Sequence, residues 1–255
     1  MDPMAGVEGP QVVARVGTVL RVVGGFEPRG ASTTEVARKA ELARPTVHRL
    51  LNSLSAEGLI DRDPATGLWS LGPELYLLGS VAATRYDISH YARDIVENIA
   101  RTTGESAFLS ARRGDETVCL LSVEGSFPLR SHVLHEGIRF PLGVASAGLA
   151  ILSHLPEREI DAYFEHASLK AAWGTEHSEA AIRERIASTR RTGFALNPGL
   201  IVEGSWGIGA AVFDTSGAPA WALSVTGVET RFRPERHTEL GSFLIDQAHA
   251  LSRRI

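Results

Sequence analysis

The chain has 255 residues, 44% hydrophobic and 22% charged, with a formal net charge of −4 and one cysteine, Cys119. This is the balance of a globular protein long enough for one large domain or two ordinary ones, and it excludes an intramolecular disulfide framework, a generally basic coat for nucleic acid and an acidic tail. No apolar run approaches the roughly 18 residues of a membrane span, and MDPMAGVEGP is no secretion signal, so a cytoplasmic protein with no membrane partner is expected.

Residues 11–23, QVVARVGTVLRVV, place apolar side chains at 12, 13, 16, 19, 20 and 23, the period of an amphipathic helix ended by Gly24 and Gly25. Ser32-Thr-Thr-Glu35 has the form of a capping box, which opens a short helix over 33–40 that buries Val36, Ala37 and Ala40. Leu42-Ala-Arg makes a tight turn, and Pro45 suits the first turn of a third helix, where a missing amide proton costs nothing. That third helix lies in ARPTVHRLLNSLSAEGLI, residues 43–60. Val47, Leu50, Leu51 and Leu54 form one seam, while Arg44, Thr46, His48, Arg49, Asn52 and Ser53 crowd the other side. Gly58 ends it. LIDRD and LWSLG follow as short strands, with Pro64 and Gly67 supplying a hairpin turn.

Three short helices and a hairpin in this order are those of a winged helix-turn-helix. The seam packs on the first two helices and the polar side faces a DNA major groove. Arg44 and Arg49 suit guanine edges or phosphates, and Asn52 suits adenine. Ser32, Thr33, Thr34, Thr46, His48 and Arg62 complete the expected contacts with double-stranded operator DNA. Residues 38–62 carry five cations against three acids, a local balance of +2. One copy therefore holds DNA weakly, which implies a dimer.

Residues 73–86, PELYLLGSVAATRY, form a helix with apolar groups on more than one side, which suits a linker packed against a partner chain. From Asp87 a further helix carries Ile88, Tyr91, Ile95 and Ile99 on one stripe. Beyond Gly104 come strands ESAFLSAR and TVCLLSVE about a Gly114-Asp115 turn, then helical text at 145–165 and 178–192. Strands WGIGAAVFD (206–214) and PAWALSVTG (219–227) follow, and a last helix spans 234–253. Hairpin connections this short exclude parallel crossovers and indicate an antiparallel α+β domain. The expected organisation is a DNA-binding domain over 1–72, a linker helix over 73–86 and a second domain over 87–255.

Residue chemistry for catalysis or metal binding is thin. His132-x-x-His135 has only Glu136 beside it, too little for a zinc site. Gly204-Ser205-Trp-Gly207 lacks the first glycine of a nucleophile elbow, and Gly207-Ile-Gly209 lacks the third glycine of a dinucleotide loop. Cys119 sits in an apolar strand as a small buried residue, and His154, His166 and His177 read as surface or capping groups. No metal or cofactor is expected.

The whole chain resembles the IclR family of bacterial transcription regulators. The motifs that carry the resemblance are TTEVARKAELARPTVHRLLNSLSAEGLIDRD, LGPELYLLG, FPLGVASAGLAIL, TGFALNPG and GAAVFDTSGAPAWALSVTG, in family order from about residue 11 to the end. The resemblance implies an N-terminal winged helix, a linker helix, a C-terminal GAF-like (profilin-like) sensing domain, and assembly as a homodimer or dimer of dimers. It also implies an effector pocket made by Leu129, His132, Phe140, Ser146, Ala147, Asn197, Ser205, Gly207, Ser224 and Thr226. Amides at the start of a helix around 146–148 favour an anion, and alternate residues 224 and 226 share one strand face. A small organic acid is the effector this geometry suits. The family's acidic position is Asn197 here, its usual glutamate is Leu200, its frequent cysteine is Gly207 and its turn proline is Ala211. Lost charge and bulk imply a roomier pocket, open to an aromatic acid, with Arg130 or His132 balancing the charge. Two other readings stay open: a sensor acting through protein partners, and an acyl hydrolase using Ser205 or Cys119.

Overall fold

A computed structural model of the chain describes residues 9–86, 88–129 and 133–255. These fall into two compact units that divide after residue 87.

The first unit has helices α1 (Gly9–Gly24), α2 (Thr33–Ala40) and α3 (Arg44–Ala56), a hairpin of β1 (Ile60–Arg62) and β2 (Trp69–Leu71), and helix α4 (Pro73–Tyr86). The capping box forms as spaced. The Glu35 amide donates to the Ser32 hydroxyl at 3.2 Å, and the Ser32 amide donates to the Glu35 carboxylate at 2.9 Å. Val19, Val23, Val36, Val47, Leu51, Leu54, Ile60 and Trp69 make the core. Leu50 is only partly buried there. Val12 and Val13, expected in the seam, are 48% and 73% exposed, because short α2 and α3 cover only the later turns of α1. The hairpin is tied back to the helices: Ala31 bridges to Trp69, whose indole N–H donates to the Thr33 hydroxyl at 3.0 Å. On α4, Tyr76, Leu77, Leu78 and Val81 stand exposed.

The second unit opens with α5 (Ile88–Thr103). A six-stranded antiparallel sheet follows, made of β3 (Ser106–Arg113), β4 (Glu116–Val123), β5 (Arg139–Pro141), β6 (Ala195–Pro198), β7 (Ser205–Phe213) and β8 (Pro219–Val228), in the order β5-β4-β3-β8-β7-β6. Helices α6 (Ser146–Ser153), α7 (Glu157–His166), α8 (Leu169–Trp173) and α9 (Glu179–Thr192) lie between β5 and β6, and α10 (Pro234–Ser252) closes the chain. Alternation sorts the strands onto two cores. Leu109, Leu223 and Val225 pack with α5 and α10, whereas Ala211 and Ala222 pack with α6, Ile160 of α7 and Ile182 of α9.

The expected helical stretch at 145–165 is two helices, because Pro156, with no amide to donate, stands at the N-cap of α7. All eight residues of α6 are buried. Its start seats directly on β7: a Cβ on Gly209 would lie 2.8 Å from the Ser146 carbonyl. Strands β5 and β6, absent from the sequence reading, have three and four residues, too few for an alternation to register.

Candidate functional site

On the first unit, α3 turns Val47, Leu51 and Leu54 inward and leaves Arg44, His48, Arg49 and Asn52 exposed, with Thr46 half-buried. Arg44 and Arg49 make no hydrogen bond or ion pair among the described residues, so both guanidiniums are available to an anionic partner. The Asn52 amide nitrogen lies 3.2 Å from Nδ1 of His48, one helical turn back. Arg62 stacks over Trp69 at 5.3 Å and donates to the Gly67 carbonyl at 3.4 Å, which fixes it on the hairpin. Two expected contacts are already engaged: Ser32 serves the capping box and Thr33 accepts from Trp69. Thr34 is exposed beside them.

On the second unit, the α6 side of the sheet holds a small cavity. Strand register sets its wall: Thr226, between Gly207 and Ser106, lines the space, while Ser224, between Gly209 and Phe108, shares its strand face two residues back but does not line it. Both hydroxyls are buried and have no hydrogen-bond partner among the described residues. Ser146, at the start of α6, comes against this wall; a Cβ on Gly207 would lie 3.1 Å from its hydroxyl. No side chain caps α6. Asn197 closes the far side by donating to the Val144 carbonyl at 2.7 Å and accepting from the Leu200 amide at 3.0 Å. Ser205 and Gly207 also line the space, and Val133, Leu134 and Ile201 give it an apolar roof. The volume is about 20 Å³, room for little more than one water. The roomier pocket expected from Gly207 and Asn197 is not present, because Ser146 fills the first gap and the Asn197 bonds close the second.

Residues 12–64 match the model of the IclR helix-turn-helix domain, and residues 80–253 match that of the bacterial transcriptional regulator IclR C-terminal domain. The chain belongs to the IclR family. This IclR-type regulator is 30% identical to the glycerol operon regulatory protein of Streptomyces griseus, over 95% of each chain. It is 29% identical to KipR of Bacillus subtilis, over 87% of this chain and 88% of that one. Its fold is shared with an IclR-type regulator of Alicyclobacillus acidocaldarius, at a TM-score of 0.78 and 23% identity over 95% of this chain and 98% of that one. It is shared too with an IclR homolog of Microbacterium hydrocarbonoxydans complexed with 4-hydroxybenzoate, at 0.76 and 21% over 95% and 99%. The regulator thus couples a helix-turn-helix DNA-binding domain to a C-terminal effector-binding domain.

Several residues expected in this regulator's effector pocket stand elsewhere. Leu129 is 64% exposed and does not line the cavity. Phe140 packs edge-on against Trp173 at 5.6 Å within the α6–α9 core, and Ala147 is buried in the same core. Phe140 stands on edge strand β5, with β4 and β3 between it and β8, and the period of α6 turns Ala147 away from the direction of Ser146. His132 and Arg130 lie outside the described residues. Cys119 is buried, and desolvation followed by the Glu136 carboxylate pushes its thiol up to about 12, so it is no nucleophile near neutral pH.

His154 bonds the Ala150 carbonyl at 2.9 Å and His166 pairs with Asp115 at 2.8 Å. His177, read as a surface or capping group, is instead 1% exposed. Its Nδ1 lies 2.9 Å from the Trp173 carbonyl. Arg185, half-buried nearby, went unmarked in the sequence because an arginine on an amphipathic helix reads as solvated.

Proposed function

We propose that this IclR-family regulator binds operator DNA as a dimer, reads it with Arg44, His48, Arg49 and Asn52 of α3 and with Arg62 of the wing, and responds to a small organic acid held between α6 and β8. A catabolic operon is the target this pairing of acid sensor and operator binder suits. The observation that carries the effector site is the pair of orphaned hydroxyls on Ser224 and Thr226. An unmade buried hydrogen bond costs about 1–3 kcal/mol, and a ligand carboxylate beside an uncapped helix start relieves both. Asn197 keeps an acidic charge out of the same space. Since the cavity holds about 20 Å³, the acid enters as Val133, Leu134 and Ile201 draw back. The 4-hydroxybenzoate in the Microbacterium relative supports an aromatic acid as one such ligand.

The inert thiol of Cys119 counts against a hydrolase that uses it. The exposed cations of α3 count against a sensor that has lost DNA.

The test is a thermal-shift screen of carboxylates followed by operator-release assays on wild type and on the Ser224→Ala/Thr226→Val double variant. The variant should hold operator as before and no longer respond. An undiminished response at the same acid concentration places the effector elsewhere.

A further inference from the structure

A second, larger cavity lies in the same unit, along the outer edge of the sheet. Strand β6 is the last strand of the order, with β7 on one side only. Its Ala195 and Asn197 face α6, while Leu196 and Pro198 face out into a groove of about 290 Å³ between α9 and α10. Small-ligand pockets typically measure about 300–1,000 Å³, so the groove sits at the lower end of that class without rearrangement. Its walls are apolar at Leu149, Phe194, Leu196 and Pro198, and polar groups come from Arg185, Ser188, Thr189 and Thr192 of α9 and from His237 of α10.

Arg185 is the group that needs explaining. Its Nη2 donates to the Glu176 carbonyl at 2.9 Å, yet its Nη1 is shielded from solvent with no acceptor. No carboxylate lies within ion-pair distance of it among the described residues. Burial lowers its pKa, an effect only partly offset by the Glu176 charge, as for a cation without its counter-charge. The Ser188 hydroxyl beside it also has no hydrogen-bond partner among the described residues. A half-buried guanidinium that lines an apolar groove and has no acid paired to it is a suitable partner for an external carboxylate.

We propose that this groove is a second ligand site of the regulator, taking a monocarboxylate with a compact apolar body of about benzoate size. The carboxylate meets Arg185 and Ser188, and the ring lies against Phe194, Leu196 and Pro198. The site is distinct from the cavity at Ser224 and Thr226, but the two share walls: Leu149 belongs to the helix that starts at Ser146, and Leu196 sits beside Asn197 on β6. A ligand in the groove therefore presses on the same helix and strand that bound the first cavity.

Benzoate is the probe, and calorimetric titration of the full chain is the measurement. In the Ser224→Ala/Thr226→Val background, where the first cavity is disabled, one benzoate per chain should still bind. Adding Arg185→Met should weaken that binding at least tenfold. Ser188→Trp, which sets an indole across the mouth, should do the same and serves if the arginine variant does not fold. Loss of all benzoate binding in the double variant, or affinity unchanged by both groove substitutions, overturns the proposal. Neither outcome touches the first cavity, whose reading stands or falls with the operator-release assay.

Discussion

Asn197 holds Val144: its side-chain amide donates to the Val144 carbonyl at 2.7 Å and its carbonyl accepts from the Leu200 amide at 3.0 Å. One buried side chain thereby joins edge strand β6, the turn after it and the loop that leads into α6. Replacing Asn197 by Asp turns a donor into an acceptor that faces a carbonyl. The variant should lose about 1–3 kcal/mol, measured by urea unfolding of the isothermal native state, and should bind carboxylate effectors more weakly. Unaltered stability would mean that the Val144 carbonyl has another donor ready.

Thr226→Val should act in the opposite sense. The hydroxyl is buried without a partner among the described residues, and a methyl of the same shape removes that cost. The expected gain is about 1 kcal/mol, read from the urea midpoint at an unchanged slope. A destabilised variant would show that an ordered water satisfies the hydroxyl.

Arg49→Ala should weaken operator binding and leave the fold intact, because Arg49 lies off the Val47, Leu51 and Leu54 seam. If the contact is to phosphate, the slope of log affinity against log salt should fall by about 0.9 and every DNA sequence should suffer alike. An unchanged operator affinity with native circular dichroism removes Arg49 from the interface.

Glu35 sets an acid limit on the first unit. Its carboxyl is held at about 2 against an ordinary 4.5, first by the Ser32 amide, then by the Arg29 guanidinium and the Ser32 hydroxyl. A depressed folded pKa means that the ionised group favours the folded unit. That contribution is complete above about 4.5 and disappears as the pH falls toward 2. Carbon-detected NMR titration of Glu35 should show this low midpoint, and Glu35→Gln should flatten the acid dependence of unfolding. A midpoint near 4.5 would mean that the capping box is open in solution.

Leu78→Glu on α4 should shift the protein toward monomer in light scattering at micromolar concentration and weaken operator binding with it. Tyr76, Leu77, Leu78 and Val81 together present a wide apolar surface, and charge at its centre opposes burial against a second copy. A variant of unaltered mass would place the dimer contact on another surface.

The legibility of this fold followed the range of the forces involved. The capping box, the Pro45 helix start and the β7–β8 hairpin are set by neighbours within a few residues, and each could be read from spacing. Pro156 also carried a readable sign that the helix breaks, which the longer apolar period masked. Strands β5 and β6 exist because β4 and β7 offer them edges, a cause outside their own segments. The site divides along the same line. The shared strand face of Ser224 and Thr226 could be read from their alternate positions in an apolar strand. Phe140 went astray because its direction depends on Trp173, more than 30 residues away, and the burial of His177 and Arg185 depends on packing between helices.

Strands β3 and β8 are neighbours at the centre of the sheet, although residue 113 ends one and residue 219 begins the other. During synthesis the sensing unit therefore cannot assemble its middle until almost all of the chain has left the ribosome, whereas the three helices and hairpin of the first unit need only their own contacts. The DNA-reading half can mature on a nascent chain that has as yet no means of hearing the effector. Premature termination before β8 would release a reader without its sensor, with the β3 edge open to aggregation.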